Sequence, residues 1–144
     1  MRYLALDVGE KTIGMAVSDP LGIVQRPLGT LVRQGARADL DVLAAAVADQ
    51  EASVILVGYP VHMSGEAGAA AGRVARLARR LKARTGLPVL GVDERFSTLE
   101  AGEILRDPTR GRGRRRPTDD HAVAAALILR RYLEEGESVV LARW

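Results

Sequence analysis

Three acidic sites in this chain combine a residue type and a position that suit metal chemistry. Asp7 lies inside a short apolar run, Glu94 follows Asp93 at the end of another, and Asp119 and Asp120 stand before a third. A strand interior seldom holds an unpaired carboxylate, because burying a charge costs far more than a methyl group contributes. Oxygen ligands without a cluster of His or Cys suit Mg²⁺ or Mn²⁺. We therefore expect a divalent-metal site built from Asp7, Glu94 and one of the two later aspartates.

A pair of such ions defines a reaction class. Two metal ions held about 3.5–4 Å apart can activate a water and stabilise the leaving oxygen of a phosphodiester. In an open α/β sheet, ligands gather beyond the carboxyl ends of the strands, where these acidic residues are predicted to lie.

Each acidic residue also has a purely structural interpretation. Asp7 could cap a turn in which Gly9 takes a positive φ angle, and Glu94 could form a surface ion pair with Arg95. Asp119 or Asp120 could be the N-cap of a helix. Each signal is weak alone, but their occurrence together in this order favours the metal site.

The positive charges are clustered, which indicates a polyanionic partner. The formal net charge is only +3 with a pI of 9.8, yet residues 107–117 are rich in Arg, Gly and Pro. Clustered arginine suits phosphate groups, so we interpret this segment as a mobile loop that binds nucleic acid. The candidate nucleic-acid contacts are Lys11, Arg95, Arg112, Arg114, Arg115 and Arg116.

Composition excludes several other classes. Aromatic residues make up 3% of the chain, which argues against binding single strands on a row of stacked rings. The absence of cysteine excludes disulfides and thiolate chemistry and fits a reducing compartment. No stretch approaches the roughly 20 apolar residues that span a bilayer. We expect a single cytoplasmic domain over residues 1–144.

The N-terminal half of the chain predicts an antiparallel start to the sheet. Two apolar runs around a glycine-bearing turn in residues 4–19 indicate a hairpin, in which Gly9 and Gly14 leave room for a phosphate or another backbone. A third strand is predicted within residues 22–32, and Pro27 makes it an edge strand or a bent one. Residues 36–50 have the apolar spacing of a helix.

The second half predicts parallel strands covered by helices. Residues 54–58 and 89–92 are apolar on both faces, which is typical of buried parallel strands. A helix precedes the second of these, a short helix is expected from Ser97 to about Arg106, and a largely buried helix follows Asp120. The tail around Val140 could form a small extra strand or stay loose. The fold class is therefore α/β, with a mixed sheet of five strands and helices on both faces.

Four motifs in order give this chain a resemblance to a known family. The segments LDVGEKTIGMAVSD from Leu6, VGYPVHMSG from Val57, VDERFST from Val92 and AAALILRRYL from Ala124 resemble the RuvX/YqgF family over nearly the whole chain. The resemblance implies an RNase H-like fold and a metal-dependent nuclease. The family is described as maturing the 5′ end of 16S ribosomal RNA or as resolving Holliday junctions.

The resemblance also implies roles for single residues. Asp7 matches the first family carboxylate and Glu94 the glutamate of the D-E-R motif. In the family one Asp precedes the last helix. When the two helices are aligned at Tyr132, the position of that Asp falls on His121 of this chain, which is not an acid. Asp120, one residue earlier, is therefore the expected third carboxylate, with Asp119 as the alternative.

The expected function is thus a Mg²⁺- or Mn²⁺-dependent endonuclease acting on precursor ribosomal RNA or on a four-way DNA junction. Junction resolution requires a homodimer, whereas RNA trimming is possible for a monomer. Two alternatives belong to other classes. One is a non-catalytic RNA-binding module on the same fold, and the other is one lobe of a sugar-kinase or actin-like ATPase.

Overall fold

The fold is built around a mixed six-stranded sheet, seen in a computed structural model that describes residues 1–60, 66–94 and 119–144. The strand order is β3-β2-β1-β4-β5-β6. The helix expected from Ser97 and the arginine-rich segment 107–117 lie outside the described residues.

The predicted hairpin forms the antiparallel side of the sheet. Strand β1 covers Tyr3–Val8 and β2 covers Thr12–Ser18, and their register pairs Asp7 with Gly14. Strand β3, Gln25–Val32, pairs antiparallel with β2 and is the edge of the sheet. The prediction of an edge strand is confirmed, and its register shifts beside Pro27, which cannot donate a ladder hydrogen bond.

The two buried runs form the parallel side, as predicted. Strand β4, Val54–Tyr59, pairs parallel with β1, and β5, Val89–Asp93, pairs parallel with β4. The sheet has six strands rather than five because the tail, β6 at Val140–Arg143, adds antiparallel to β5. The expected fold class, a mixed α/β sheet, is confirmed.

Helices cover both faces of the sheet. Helices α1 (Ala36–Asp49) and α2 (Glu66–Thr85) lie on one face, and α3 (Asp119–Glu135) lies on the other, followed by a short 3₁₀ turn at Gly136–Val139. The first face buries apolar residues of β1, β4 and both helices. The second face consists of Ala5, Ala16, Leu56, Leu90 and Val92 packed against Ala125, Ile128 and Leu129 of α3.

Helix α3 lies very close to the sheet at two glycines. A Cβ built on Gly14 would stand 2.0 Å from the carbonyl oxygen of His121, which is backbone of the first turn of α3. A Cβ on Gly58 would stand 2.7 Å from the Ile128 Cδ1. The expectation that Gly14 admits another backbone is confirmed, whereas Gly9 has no positive φ angle.

Among the helices in the described ranges, none combines the length and the apolar character needed to cross a bilayer.

We predict that Gly14→Ala destabilises the protein by about 2–3 kcal/mol, because the new methyl group meets backbone that cannot rotate away. Its melting temperature should fall by about 5–10 °C. The matched control is Gly72→Ala inside α2, where the new methyl group, among the residues that the structure describes, would meet the Arg76 guanidinium at 3.3 Å, the end of a flexible side chain. Alanine favours a helix interior, so this control should melt at the same temperature or higher. Equal melting temperatures for both variants would contradict the close packing at Gly14.

Candidate functional site

Asp7 lies on the face of the sheet that α3 covers. Side chains alternate along a strand, and Ala5, two residues earlier, packs in the core beneath α3. The Asp7 side chain is 25% exposed, and its Oδ2 lies 3.6 Å from the Nδ1 of His121. The close approach of α3 at Gly14, the register partner of Asp7, puts His121 there.

Glu94 follows directly after β5 and lies on the same face. Its Oε2 is 2.8 Å from the position that a Cβ on Gly58 would occupy. Gly58 belongs to β4, the strand between β1 and β5, so its missing side chain leaves room for the glutamate. The structure thus brings Asp7 and Glu94, two of the three predicted ligands, to one face near the carboxyl ends of their strands.

Burial and like charge perturb both carboxyl groups. Burial is the main cause that raises the pKa of Glu94 from 4.5 to about 6, and the negative charges of Asp7 and Asp93 add to it. Burial also raises the pKa of Asp7, while His121 works in the opposite direction through its charge and a hydrogen bond. Two carboxylates that are costly to ionise together are stabilised by a cation placed between them.

Asp93, the neighbour of Glu94, has a different environment. It is buried, and its Oδ2 lies 3.7 Å from the Nη2 of Arg131 on α3. Arg131 also forms an ion pair with Glu135 one turn later in the helix. A carboxylate beside a guanidinium has less need of a metal ion, so the geometry favours Glu94 over Asp93 as the ligand.

The described residues do not show the third predicted ligand close to Asp7 and Glu94. Asp119 is the first residue of α3, and the side chain of Asp120 is exposed. No group of three acidic, His or Cys side chains close enough to hold a metal ion occurs in the parts of the chain that the structure describes. The residue of the first helical turn that contacts Asp7 is His121. The role of Asp120, and of Asp119 as its alternative, stays a prediction.

A buried ion pair holds the turn that follows Asp7. Asp39 of α1 is fully buried, and its Oδ2 accepts a hydrogen bond from the Nε of Arg33 at 3.2 Å. The Nη1 of Arg33 donates a hydrogen bond to the carbonyl oxygen of Gly9 at 3.0 Å. The backbone N–H of Arg33 donates a second one to the carbonyl oxygen of Lys11 at 2.9 Å. The turn between β1 and β2 is therefore fixed from α1.

Sequence reasoning missed this ion pair. An aspartate in the first turn of a helix is readily explained by the helix dipole. That explanation gives no reason to look for an arginine partner six residues earlier. The visible signal was an arginine directly after a strand and an aspartate among the first residues of the next helix.

The predicted nucleic-acid contacts are only partly described. Lys11 is exposed in the turn between β1 and β2, and its contact with nucleic acid stays a prediction. Arg95, Arg112, Arg114, Arg115 and Arg116 lie outside the described residues.

Comparison with known proteins gives a consistent set of relatives. The family model described as "RuvX: Holliday junction resolvase" matches residues 1–135. Two relatives are named "Putative pre-16S rRNA nuclease". The protein from Syntrophus aciditrophicus is 42% identical over 93% of this chain and 89% of its own length. The protein from Moorella thermoacetica is 44% identical over 93% of this chain and 95% of its own length.

A solved structure shares the fold. T. thermophilus RuvC, in complex with a Holliday junction substrate, superposes with a TM-score of 0.60 at 17% identity, covering 98% of this chain and 99% of that one. The likeness supports the predicted RNase H-like arrangement of strands and helices.

We predict that Glu94→Gln stabilises the protein above pH 6 when a chelator removes metal ions. A carboxyl group with a raised pKa binds more protons folded than unfolded, so wild-type stability falls as the pH rises from 4.5 through about 6. Allowing for solvent screening, the variant should gain about 1 kcal/mol at pH 7 and nothing below pH 4.

The measurement is urea unfolding from pH 4 to pH 8. Glu134→Gln, an exposed change on α3, is the control and should follow the wild-type curve. A constant difference between wild type and Glu94→Gln across this range would contradict the raised pKa.

Proposed function

The chain belongs to the RuvX family, and from this premise we propose that it is a divalent-metal-dependent endonuclease that hydrolyses phosphodiester bonds in structured nucleic acid. One observation carries the proposal: Asp7 and Glu94 share one face of the sheet, and the charge of Asp7 contributes to raising the pKa of Glu94. Such an arrangement is costly for a structural role, and it suits a cation-binding site.

The residues present fit a divalent metal ion. Asp7 and Glu94 supply hard oxygen ligands, and both have raised pKa values for which a cation would compensate. We propose that they hold Mg²⁺ or Mn²⁺ together with Asp120, in a site for two ions. When bound, the metal supplies an activated water and neutralises charge that develops on the leaving oxygen.

The protein's own residues prepare this site. Gly58 leaves space for Glu94, and Gly14 lets the first turn of α3 approach Asp7. With a pKa of about 6, Glu94 is mostly ionised near neutral pH and is available as a ligand. His121, 3.6 Å from Asp7, restricts where that carboxylate can point. The two ligands are thus oriented before any substrate binds.

The favoured substrate is precursor 16S ribosomal RNA, because the relatives with 42% and 44% identity are named as nucleases of that RNA. A four-way DNA junction is the second candidate, favoured by the description of the family. Resolution of a junction at symmetric positions needs two sites and therefore a homodimer, whereas trimming an RNA end needs one. Lys11 and the arginines Arg95, Arg112, Arg114, Arg115 and Arg116 would contact phosphates in either case.

The proposal places the enzyme in the cytoplasm, which the lack of cysteine suits. A non-catalytic RNA-binding module is the main alternative. It would have no use for two adjacent carboxylates that are costly to ionise together, and their presence favours the enzyme.

We predict that Asp7→Asn and Glu94→Gln each reduce cleavage by roughly 100-fold or more while nucleic-acid binding remains. Even residues that only support a metal ligand typically contribute ten- to 100-fold. Asp120→Asn should rank with them if it is the third ligand, and Asp93→Asn should be milder. Purified protein with Mg²⁺ or Mn²⁺ would be offered precursor 16S ribosomal RNA and a four-way junction in parallel.

The matched controls are Asp41→Asn on α1 and Glu134→Gln on α3, which change exposed side chains in ion pairs with Arg84 and Arg130. They should cleave at the wild-type rate. Full activity of folded Asp7→Asn would overturn the proposed site. Tight binding by the wild type with no cleavage of either substrate would favour the binding module.

A further inference from the structure

A cleft of about 340 Å³ lies beside the turn that follows Asp7, and an ion pair lines it. Its walls include Glu10, Ala69, Ala70 and Arg73. The Nη2 of Arg73 on α2 is 3.5 Å from the Oε1 of Glu10 in the turn between β1 and β2. The metal site proposed above uses neither charged residue, so the cleft is available for a different role.

The cleft opens at the same edge of the sheet as the candidate site. Glu10 is three residues after Asp7, and α2 begins at Glu66, shortly after the carboxyl end of β4. Ligands of open α/β sheets bind outside this edge, where the strand order reverses, here between β1 and β4. The cleft lies on the α2 side of this edge and the candidate site on the α3 side, so a polynucleotide that continues from Asp7 and Glu94 across the edge would reach the cleft.

The two partners of the ion pair differ in how firmly they are held. The Arg73 side chain is 21% exposed, whereas that of Glu10 is 77% exposed. Glu10 can therefore swing into solvent with little loss of packing, while Arg73 stays against α2 and the cleft wall. The methyl groups of Ala69 and Ala70 leave the space beside the guanidinium open.

We propose that this cleft is a binding subsite for one backbone phosphate of the nucleic-acid substrate, with Arg73 as the donor. In the free protein the Glu10 carboxylate occupies the place of the phosphate, and the substrate displaces it. This inference rests on the proposed function, because it concerns the same nucleic acid. The two N–H donors of a guanidinium fit the oxygens of a phosphate as well as those of a carboxylate. A backbone phosphodiester and the Glu10 carboxylate each carry one negative charge, so one can replace the other.

The exchange has a measurable consequence for affinity. An exposed ion pair contributes little, so Glu10 is an easily displaced occupant, but its release still weakens substrate binding. Its negative charge also repels a phosphate that approaches Arg73. Removing Glu10 should therefore tighten binding, and removing Arg73 should weaken it. If the ion pair served only to tie the turn to α2, both changes would affect stability and leave binding unchanged.

The test measures dissociation constants of a labelled RNA hairpin and a labelled four-way DNA junction over a salt series, with chelator present so that cleavage does not interfere. Glu10→Gln should bind both probes about two- to fivefold more tightly than the wild type. Arg73→Gln should bind more weakly. The plot of log affinity against log salt concentration should be less steep, with the magnitude of its slope reduced by about 0.7–0.9. In the double variant, Glu10→Gln should tighten binding less, because there is no Arg73 guanidinium that losing the Glu10 carboxylate could free for the phosphate.

Asp41→Asn and Arg84→Gln are the matched controls. They make the same charge changes in an ion pair of 2.9 Å at the other end of α2, about 16 Å from Arg73 along the helix. Equal shifts in the controls, or a full gain from Glu10→Gln in the double variant, would overturn the subsite while leaving the proposed function standing. Failure of the wild type to bind either probe would overturn the proposed function itself, and this inference with it.

Discussion

The repulsion between two partly buried carboxylates is the constraint on which the rest of this structure depends. Asp7 and Glu94 lie on one face of the sheet, and each is costly to ionise because burial partly removes it from water. His121 compensates for part of the charge of Asp7, and a cation bound between the two carboxylates would compensate for more of it. A divalent cation would do so, and the proposed metal site is thus an explanation for a carboxylate inside β1 and another directly after β5.

The backbone is shaped to allow this pair. Gly58 leaves space for the Glu94 side chain, and Gly14 lets the first turn of α3 lie against the strand beside Asp7. The ion pair between Arg33 and Asp39 fixes the following turn from the opposite face of the sheet. The site is thus held by backbone packing and a buried ion pair on elements far apart in the chain.

The sequence was sufficient for those features that depend on local patterning. Apolar runs located the strands, Pro27 identified an edge, and a carboxylate inside an apolar run marked Asp7. Contacts between distant segments were beyond it. The contact of His121 with Asp7 depends on the rotation of α3, which a shift of one residue changes by about 100°. The sixth strand depends on pairing across the sheet edge, which a short apolar tail leaves undetermined.

The most direct test of the account is a calorimetric titration of the wild type with Mn²⁺ at pH 6, in two buffers of different ionisation enthalpy. Glu94 is about half protonated at this pH, so Mn²⁺ binding should release protons to the buffer. The release should disappear in Glu94→Gln, and Asp7→Asn should bind Mn²⁺ far more weakly. Binding of equal strength, with equal proton release, in the wild type and both variants would contradict the claim that these two carboxylates hold the metal.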